Sequence, residues 1–435
     1  MQTTTARGLA LSMAGATLLL LAVASPSAAV EPGVETNGPD VTVGVLFDLA
    51  SYGQADGFLG YSVGTTSCNI GTVPVNWCDN GGGCGFLTAK QHPVIAQAIY
   101  RLKAGRFEQV GMSWLKHGFV STNSNEAPCK IGASCSSPPL GGDQLGVGCN
   151  DTYWATLNGT RPAGMRSEVN PTIGDLDPFP HTNVPFSSAS PYQQEIKVAV
   201  GDMDPTQNAG AKYFSEGQYV ADNDALAGNG LNNATYRQVA VGSSPNFAIS
   251  FNGGLVRERS AIHAWKAEDS GVEIYNVDIP GDVVQRFEVA RRATDLGAGN
   301  WHYEYAIRNM NSDRAANSFT VDFPDGTAIT STGFRDIPHH SGEPYASADW
   351  DVFVDGTGGA VSWSTDSFVT NPNANALRWA TMFNFWFDAD APPESAVHTL
   401  GLFKPGPTSS VDFVMPLFAD SFEAHNFVAW SLVSP

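Results

Sequence analysis

Residues 301–308 read Trp301-His302-Tyr303-Glu304-Tyr305-Ala306-Ile307-Arg308. The odd positions carry Trp, Tyr, Tyr and Ile, and the even ones His, Glu, Ala and Arg. A period of two is the mark of a β-strand with one face on a core. It predicts Trp301, Tyr303, Tyr305 and Ile307 pointing inward, with His302, Glu304, Ala306 and Arg308 facing water. Downstream, Trp379, Phe383, Phe385 and Phe387 fall on one face of a second run, and Asp349-Trp350-Asp351-Val352 repeats the alternation. Val411, Phe413 and Met415 read as a last strand. Strands at short intervals, separated by Gly, Asn and Asp turns, predict a Cys-free antiparallel two-sheet sandwich over 216–415, Ig-like or jelly-roll-like. No repeat of fixed period is visible, which argues against a propeller or solenoid.

Upstream, residues 30–215 read as a disulfide-stapled, loop-rich β domain, so the fold class is all-β. Val94 to Leu102 and Arg106 to Val110 are apolar-rich runs joined by Lys103-Ala104-Gly105, a hairpin signal. The one helix candidate, Asp222 to Leu231, is stopped by Gly228 and Gly230. All six cysteines, Cys68, Cys78, Cys84, Cys129, Cys135 and Cys149, lie in this half. An even, clustered set in an exported chain predicts three disulfides. The short spacings suggest Cys78–Cys84 and Cys129–Cys135, leaving Cys68–Cys149 to close a long loop. Zinc needs close Cys/His pairs, which this pattern lacks.

The ends carry addresses rather than folds. Arg7, the apolar run Leu9 to Ala24 and the small residues Ser27-Ala28-Ala29 predict a signal peptide over 1–29. No later segment reads as a membrane span, so the expected location is extracellular or periplasmic. The chain has 43 acidic and 23 basic side chains and a net charge of −20. Without Lys/Arg clusters, nucleic acid and anionic membranes are poor partners.

The standard catalytic signatures are missing: no G-x-S-x-G elbow, H-E-x-x-H, Walker loop or dinucleotide fingerprint occurs. Among what remains, Lys116-His117 sits in Ser113-Trp114-Leu115-Lys116-His117-Gly118-Phe119. Like-charge repulsion would lower the imidazole pKa, which suits a neutral base or ligand. On a strand, however, neighbours face opposite ways. Asp151 and Tyr153 follow Cys149 on a disulfide-anchored segment, a fair place for a site. His117, Lys116, Asp151 and Tyr153 are therefore the catalytic candidates, with Glu108 as a further partner. Asp202/Asp204, Asp222/Asp224, Asp349/Asp351 and Asp388/Asp390 offer hard oxygen ligands at i and i+2, so a weak Ca²⁺ site is the one cofactor left open. His339-His340, near Glu343, would need a third ligand such as His302 or His398 to hold copper or zinc.

The segments Gly64 to Gly71 (GTTSCNIG), Ser113 to Phe119 (SWLKHGF) and Asn309 to Arg314 (NMNSDR) resemble parts of an uncharacterised family of large exported bacterial β-rich proteins. That resemblance implies export and a β fold, and it carries no catalytic residue over. Residues 416–435, with Phe418-Ala419-Asp420-Ser421-Phe422-Glu423, are similar to the F-x-D-G-F-E-S-G…W tag of exported bacterial proteins, with Ser421 and His425 where the tag has glycines. The leading expectation is a secreted, non-enzymatic binder of a surface, glycan or protein partner. The alternative is a secreted hydrolase or metal-dependent enzyme with its site near His117 and Asp151.

Overall fold

The computed structural model describes residues 36–78, 90–125, 129, 134–159, 163–176, 192–356 and 359–415. The expected signal peptide, the C-terminal tail and Cys84 lie outside the described residues. The fold is all-β, with several antiparallel sheets and only short helices.

The largest sheet has 11 strands, eight of them in a continuous path. That path runs Val41–Ala55, Phe58–Asn69, Ile196–Ala199, Arg106–Met112, Val94–Lys103, Lys212–Val220, Ala234–Val241, Ile249–Val256. The hairpin expected around Lys103-Ala104-Gly105 forms, with Val94–Lys103 antiparallel to Arg106–Met112. Its two central residues, Ala104 and Gly105, have φ of 50° and 86°, as a tight turn between twisted strands requires. The sheet curls until its ends face each other. Thr235 Oγ1 donates to the Val43 carbonyl at 2.7 Å and Arg237 Nη1 to that of Leu46 at 3.0 Å. Val43, Leu46, Tyr61, Ile99, Val198 and Tyr219 fill the space between.

Two features of this half depart from expectation. The stretch read as loop-rich holds the paired strands Val41–Ala55 and Phe58–Asn69, whose register shifts at three places. Each bulge slips the inside/outside phase by one residue, which hides the period of two from the sequence. The boundary expected at 215/216 falls inside Lys212–Val220, and Ala234–Val241 and Ile249–Val256 complete this same sheet.

The disulfides also differ from the expected pairing. The structure joins Cys68 to Cys129 and Cys135 to Cys149. Cys78 is disulfide-bonded as well, and no described cysteine is free. Strand register explains why Cys68 does not meet Cys149. Cys68 stands opposite Asn150, so Cys149 is level with Asn69, whose N–H donates to its carbonyl at 3.1 Å. Adjacent levels of a sheet face opposite sides, so the two thiols look apart.

From Val272 onward two five-stranded antiparallel sheets face each other. The inner one runs Val272–Ile279, Gln285–Gly297, Asn300–Asn309, Met382–Ala389, Ile329–Arg335; the outer one runs Asp351–Val354, Ala360–Ser364, Ala316–Asp322, Val397–Leu402, Ser410–Phe413. Tyr303, Tyr305, Phe383, Phe385 and Phe387 all point into the core between them, with Tyr303 stacked on Phe387 at 4.8 Å. Trp379, expected on that face, precedes its strand and packs instead with Leu115 and Val169.

The opposite face of Asn300–Asn309 does not meet water from Glu304 to Arg308, and only His302 at its margin is partly exposed. That face packs on the large sheet, where Ala306, Ala290 and Met382 meet Tyr100, Phe107 and Phe214. Arg106 binds the Glu304 carboxylate through two bonds of 2.7 and 2.6 Å. Arg308 is 0% exposed. A strand covered on both faces can still alternate polar and apolar when its polar side chains find partners in the next layer, and here they do.

Candidate functional site

Lys116 and His117 lie on the short strand Leu115–His117, between Val94–Lys103 and Ala163–Gly164. Asp151 and Tyr153 lie on Asn150–Tyr153, which pairs with Phe58–Asn69. The structure brings Lys116, Asp151 and Tyr153 together. The Lys116 ammonium sits 4.3 Å from the Phe119 ring centroid and 4.8 Å from that of Tyr153, and donates to the His117 carbonyl at 2.5 Å. Asp151 Oδ1 accepts from the N–H and hydroxyl of Thr122 at 2.9 and 2.8 Å. The Tyr153 hydroxyl accepts from Trp77 Nε1 and donates to the Phe119 carbonyl.

His117 turns the other way. Its Nδ1 lies 2.7 Å from His92 Nε2. Its Nε2 and the Glu168 carboxylate both border Gly164, where a Cβ would come within 2.4 Å of the imidazole. Glycine is needed there because the ring occupies the side-chain position. His92, its hydrogen-bond partner, and the nearby Glu168 are residues the sequence did not flag; no motif marks either. Glu108 is elsewhere, on Arg106–Met112, ion-paired to Arg101 at 2.7 Å.

Burial sets the protonation of these groups. Lys116 is 1% and His117 2% exposed. Burial pulls the Lys116 amine down to about 7, with the Asp151 charge pulling back. Burial, then His92 and Lys116, hold the His117 imidazole well below its usual range. Burial raises the Asp151 carboxyl against the Thr122 hydrogen bonds, and raises the Tyr153 phenol further. Acid and base forms are thus driven toward neutrality, which costs less than burying charge.

A cleft of about 420 Å³ opens elsewhere, between the large sheet and the inner sheet of the sandwich. Phe58, Met112, Phe334 and Ile337 give it apolar walls; Lys197, Asp202, Arg335 and Asp336 give it charged ones. Arg335 Nη2 is 3.1 Å from Asp202 and its Nη1 3.4 Å from Glu108, while Arg101 reaches Glu108 at 2.7 Å and Asp202 at 2.9 Å. Two guanidinium groups and two carboxylates close a ring. The Lys197 ammonium lies 4.2 Å above the Phe58 ring. His339 and His340 also line the cleft, and burial pushes them to about 3 and about 4, so both are neutral at pH 7.

The histidine-centred metal candidates are dispersed. His340 donates to the Glu195 carbonyl, His398 pairs with the Tyr305 hydroxyl, and His302 sits between Asp388 and Glu304. Glu343 accepts from the Arg166 and Ser167 N–H groups. Among the described residues no group of three His, Cys, Asp or Glu converges as metal ligands, and no helix is long and apolar enough to cross a membrane.

No protein-family model matches the chain. No curated protein matches it either. Among solved structures the chain is similar, at 8% identity and a TM-score of 0.15, to an "Enterococcal surface protein, partial N-terminal region", over 88% of this chain and 97% of that one. A likeness that low carries no weight for fold or function.

Proposed function

We propose that the protein is an exported, non-enzymatic binding protein that holds a glycan in the cleft between the large sheet and the sandwich. The cleft carries this reading. Its volume of about 420 Å³ falls in the range of about 300–1,000 Å³ typical of small-molecule sites. Its chemistry is two-faced, and so is a sugar's. Phe58 and Phe334 offer aromatic surface to a C–H face, while Asp202, Asp336, Arg335 and Lys197 offer hydrogen-bonding groups to hydroxyls. The ion ring through Arg101 and Glu108 holds Arg335 and Asp202 in place before a ligand arrives, which saves ordering entropy on binding. The disulfides fit an oxidising, extracellular or periplasmic setting.

The enzyme reading has the shifted Lys116 and His117 in its favour. Against it, the two side chains face opposite sides of one strand, both are enclosed, and neither borders the cleft. Buried groups of this kind are often structural.

Calorimetric titration of the full chain with a panel of mono- and oligosaccharides tests the proposal. Saturable heat is expected for at least one sugar, and Phe58→Ala should weaken it about tenfold or more, the size of one lost stacking contact. The proposal is overturned if no sugar binds, or if Phe58→Ala and Arg335→Ala, shown folded by their Tm, bind as the wild type does.

A further inference from the structure

Away from the cleft, Asp40 and Asp224 are both fully buried. Asp40 leads into the first strand of the large sheet, and Asp224 lies in the short helix Asp222–Leu226. Among the described residues, every hydrogen bond to the two carboxylates comes from an uncharged donor. Asp40 Oδ2 accepts from the Thr36 hydroxyl and from Asn232 Nδ2, the latter at 3.0 Å. Asp224 Oδ1 accepts from Val41 N–H at 3.0 Å and Oδ2 from Asn233 Nδ2 at 2.7 Å. Buried carboxylates without a cation are expensive, and native structures resolve this with a basic partner, a shared proton or a metal ion.

A second observation points to the metal. Asp40 Oδ1, Asn232 Oδ1 and Asn233 Oδ1 are shielded from solvent and accept no hydrogen bond from the described residues. Asn233 is 1% exposed, and its amide already touches the Asp224 carboxylate. One unpaired carboxylate oxygen and two unpaired amide oxygens, all on these four residues, are a surplus of lone pairs, and what satisfies lone pairs without adding donors is a cation. Each asparagine now turns its NH₂ to a carboxylate. Rotating the amide half a turn brings the oxygen there instead, in the same volume, and the displaced oxygen has no donor to lose.

We propose that Asp40, Asp224, Asn232 and Asn233 form a Ca²⁺ site. Two carboxylates and two amide oxygens are hard ligands, and together they can supply up to about six oxygens, within the about 6–8 that Ca²⁺ takes. The neighbouring segments are already braced. Asn229 Nδ2 donates to the Pro39 carbonyl at 2.7 Å, and Thr42 Oγ1 to that of Asn232 at 2.9 Å. The ion would therefore fasten residues 222–233 to the start of the sheet. Burial, opposed by the Thr36 and Asn232 hydrogen bonds, lifts Asp40 to about 6, and burial with the Asp40 charge lifts Asp224 further; bound Ca²⁺ would lower both.

Thermal unfolding of the full chain in EDTA and in rising CaCl₂, with calorimetric titration of CaCl₂ in parallel, tests this. Tm should begin to rise as Ca²⁺ passes a Kd of about 10⁻⁴–10⁻³ M, the range of extracellular Ca²⁺ modules, and the calorimetric isotherm should saturate above it. Asp40→Asn and Asp224→Asn should each abolish the rise. Both should still fold in EDTA, because the amide is isosteric and removes like-charge repulsion. Asp351→Asn, at an exposed position, should keep the full response. Absence of heat and of any Tm change in the wild type up to about 10 mM CaCl₂ overturns the site; so does a wild-type response in both Asp variants. The calorimetry needs no variant, so a variant that fails to fold leaves the proposal testable.

Discussion

Arg308 and Lys116 are both cations in origin, and both are buried, at 0% and 1% exposure. They have opposite fates. Arg308 lies where the inner sandwich sheet meets the large sheet, with Glu216 at 2.8 Å and Glu288 at 3.3 Å. Gln218 accepts from it at 2.7 Å, and the Tyr100 hydroxyl donates to the same Glu216 at 3.1 Å. Burial alone would lower the guanidinium pKa; Glu216, Tyr100 and Glu288 raise it above its ordinary value instead. Glu288, pushed up by burial, is held down at about 2 by His263, Arg308 and Ser260. Lys116 has aromatic rings and a carbonyl in contact where Arg308 has carboxylates; Asp151 acts on it only through its charge, without an ion pair, and the amine falls to about 7. Charge survives burial where the next layer supplies the opposite sign, and is lost where it does not.

The largest expected effect comes from breaking the paired cluster. Arg308→Met keeps most of the volume but takes this cation from Glu216 and Glu288. With His263 still 3.2 Å from Glu288, it is Glu216 that is orphaned, and the variant should cost about 3–5 kcal/mol in urea unfolding. Adding Glu216→Gln and Glu288→Gln to Arg308→Met should recover much of that loss, since no uncompensated charge then remains. A cost below about 1 kcal/mol for the single variant would mean that the contrast with Lys116 is not one of compensated against uncompensated charge.

A smaller effect, and one that depends on pH, belongs to Lys116. Its folded pKa of about 7 lies below the unfolded value of about 10.4. Between these values the unfolded chain holds a proton on this lysine that the native protein does not, so the group makes stability rise with pH. The slope is about 1.4 kcal/mol per pH unit across the middle of that window, and it vanishes below the folded pKa and above the unfolded one. Lys116→Met should remove it, which a comparison of urea midpoints from about pH 7.5 to 9.5 reads directly. Parallel curves for wild type and variant would show that Lys116 stays charged, like Arg308.

Much of the fold was legible because side-chain alternation is a local property. Tyr303, Tyr305, Phe383, Phe385 and Phe387 point inward as their spacing says, and Lys103-Ala104-Gly105 turns as its glycine says. What the sequence hid is set by the third dimension. The bulges of Val41–Ala55 break the phase, the partner of Cys68 depends on which side of a sheet Cys149 faces, and the even positions of 301–308 look equally polar whether water or another sheet covers them. The candidate site divides the same way. Lys116, Asp151 and Tyr153 lie together, while His117 turns to His92 and Glu108 pairs with Arg101, a separation that spacing along the chain does not show. The cleft draws Phe58, Lys197, Asp202 and Arg335 from distant strands, and no motif joins them.

His302 gives the smallest effect and tests the polar face of that strand at its margin. It is half-buried, with Nδ1 2.6 Å from Asp388 and Nε2 3.1 Å from Glu304. The Glu304 hydrogen bond, against partial burial and with help from Asp388, raises its pKa above 6.5. A raised folded pKa means the native protein holds the proton more tightly. The stabilisation is therefore complete below the unfolded value of about 6.5 and is lost as pH climbs through the folded value. Water screens this pair more than it screens Arg308, so His302→Ala should cost no more than about 1 kcal/mol at about pH 5.5, and less at about pH 8.5. Urea midpoints at the two pH values decide it. A cost that does not shrink on the alkaline side would mean His302 acts by packing alone, as a neutral side chain in the same layer would. A cost near that of Arg308→Met would place His302 inside the buried network rather than at its edge.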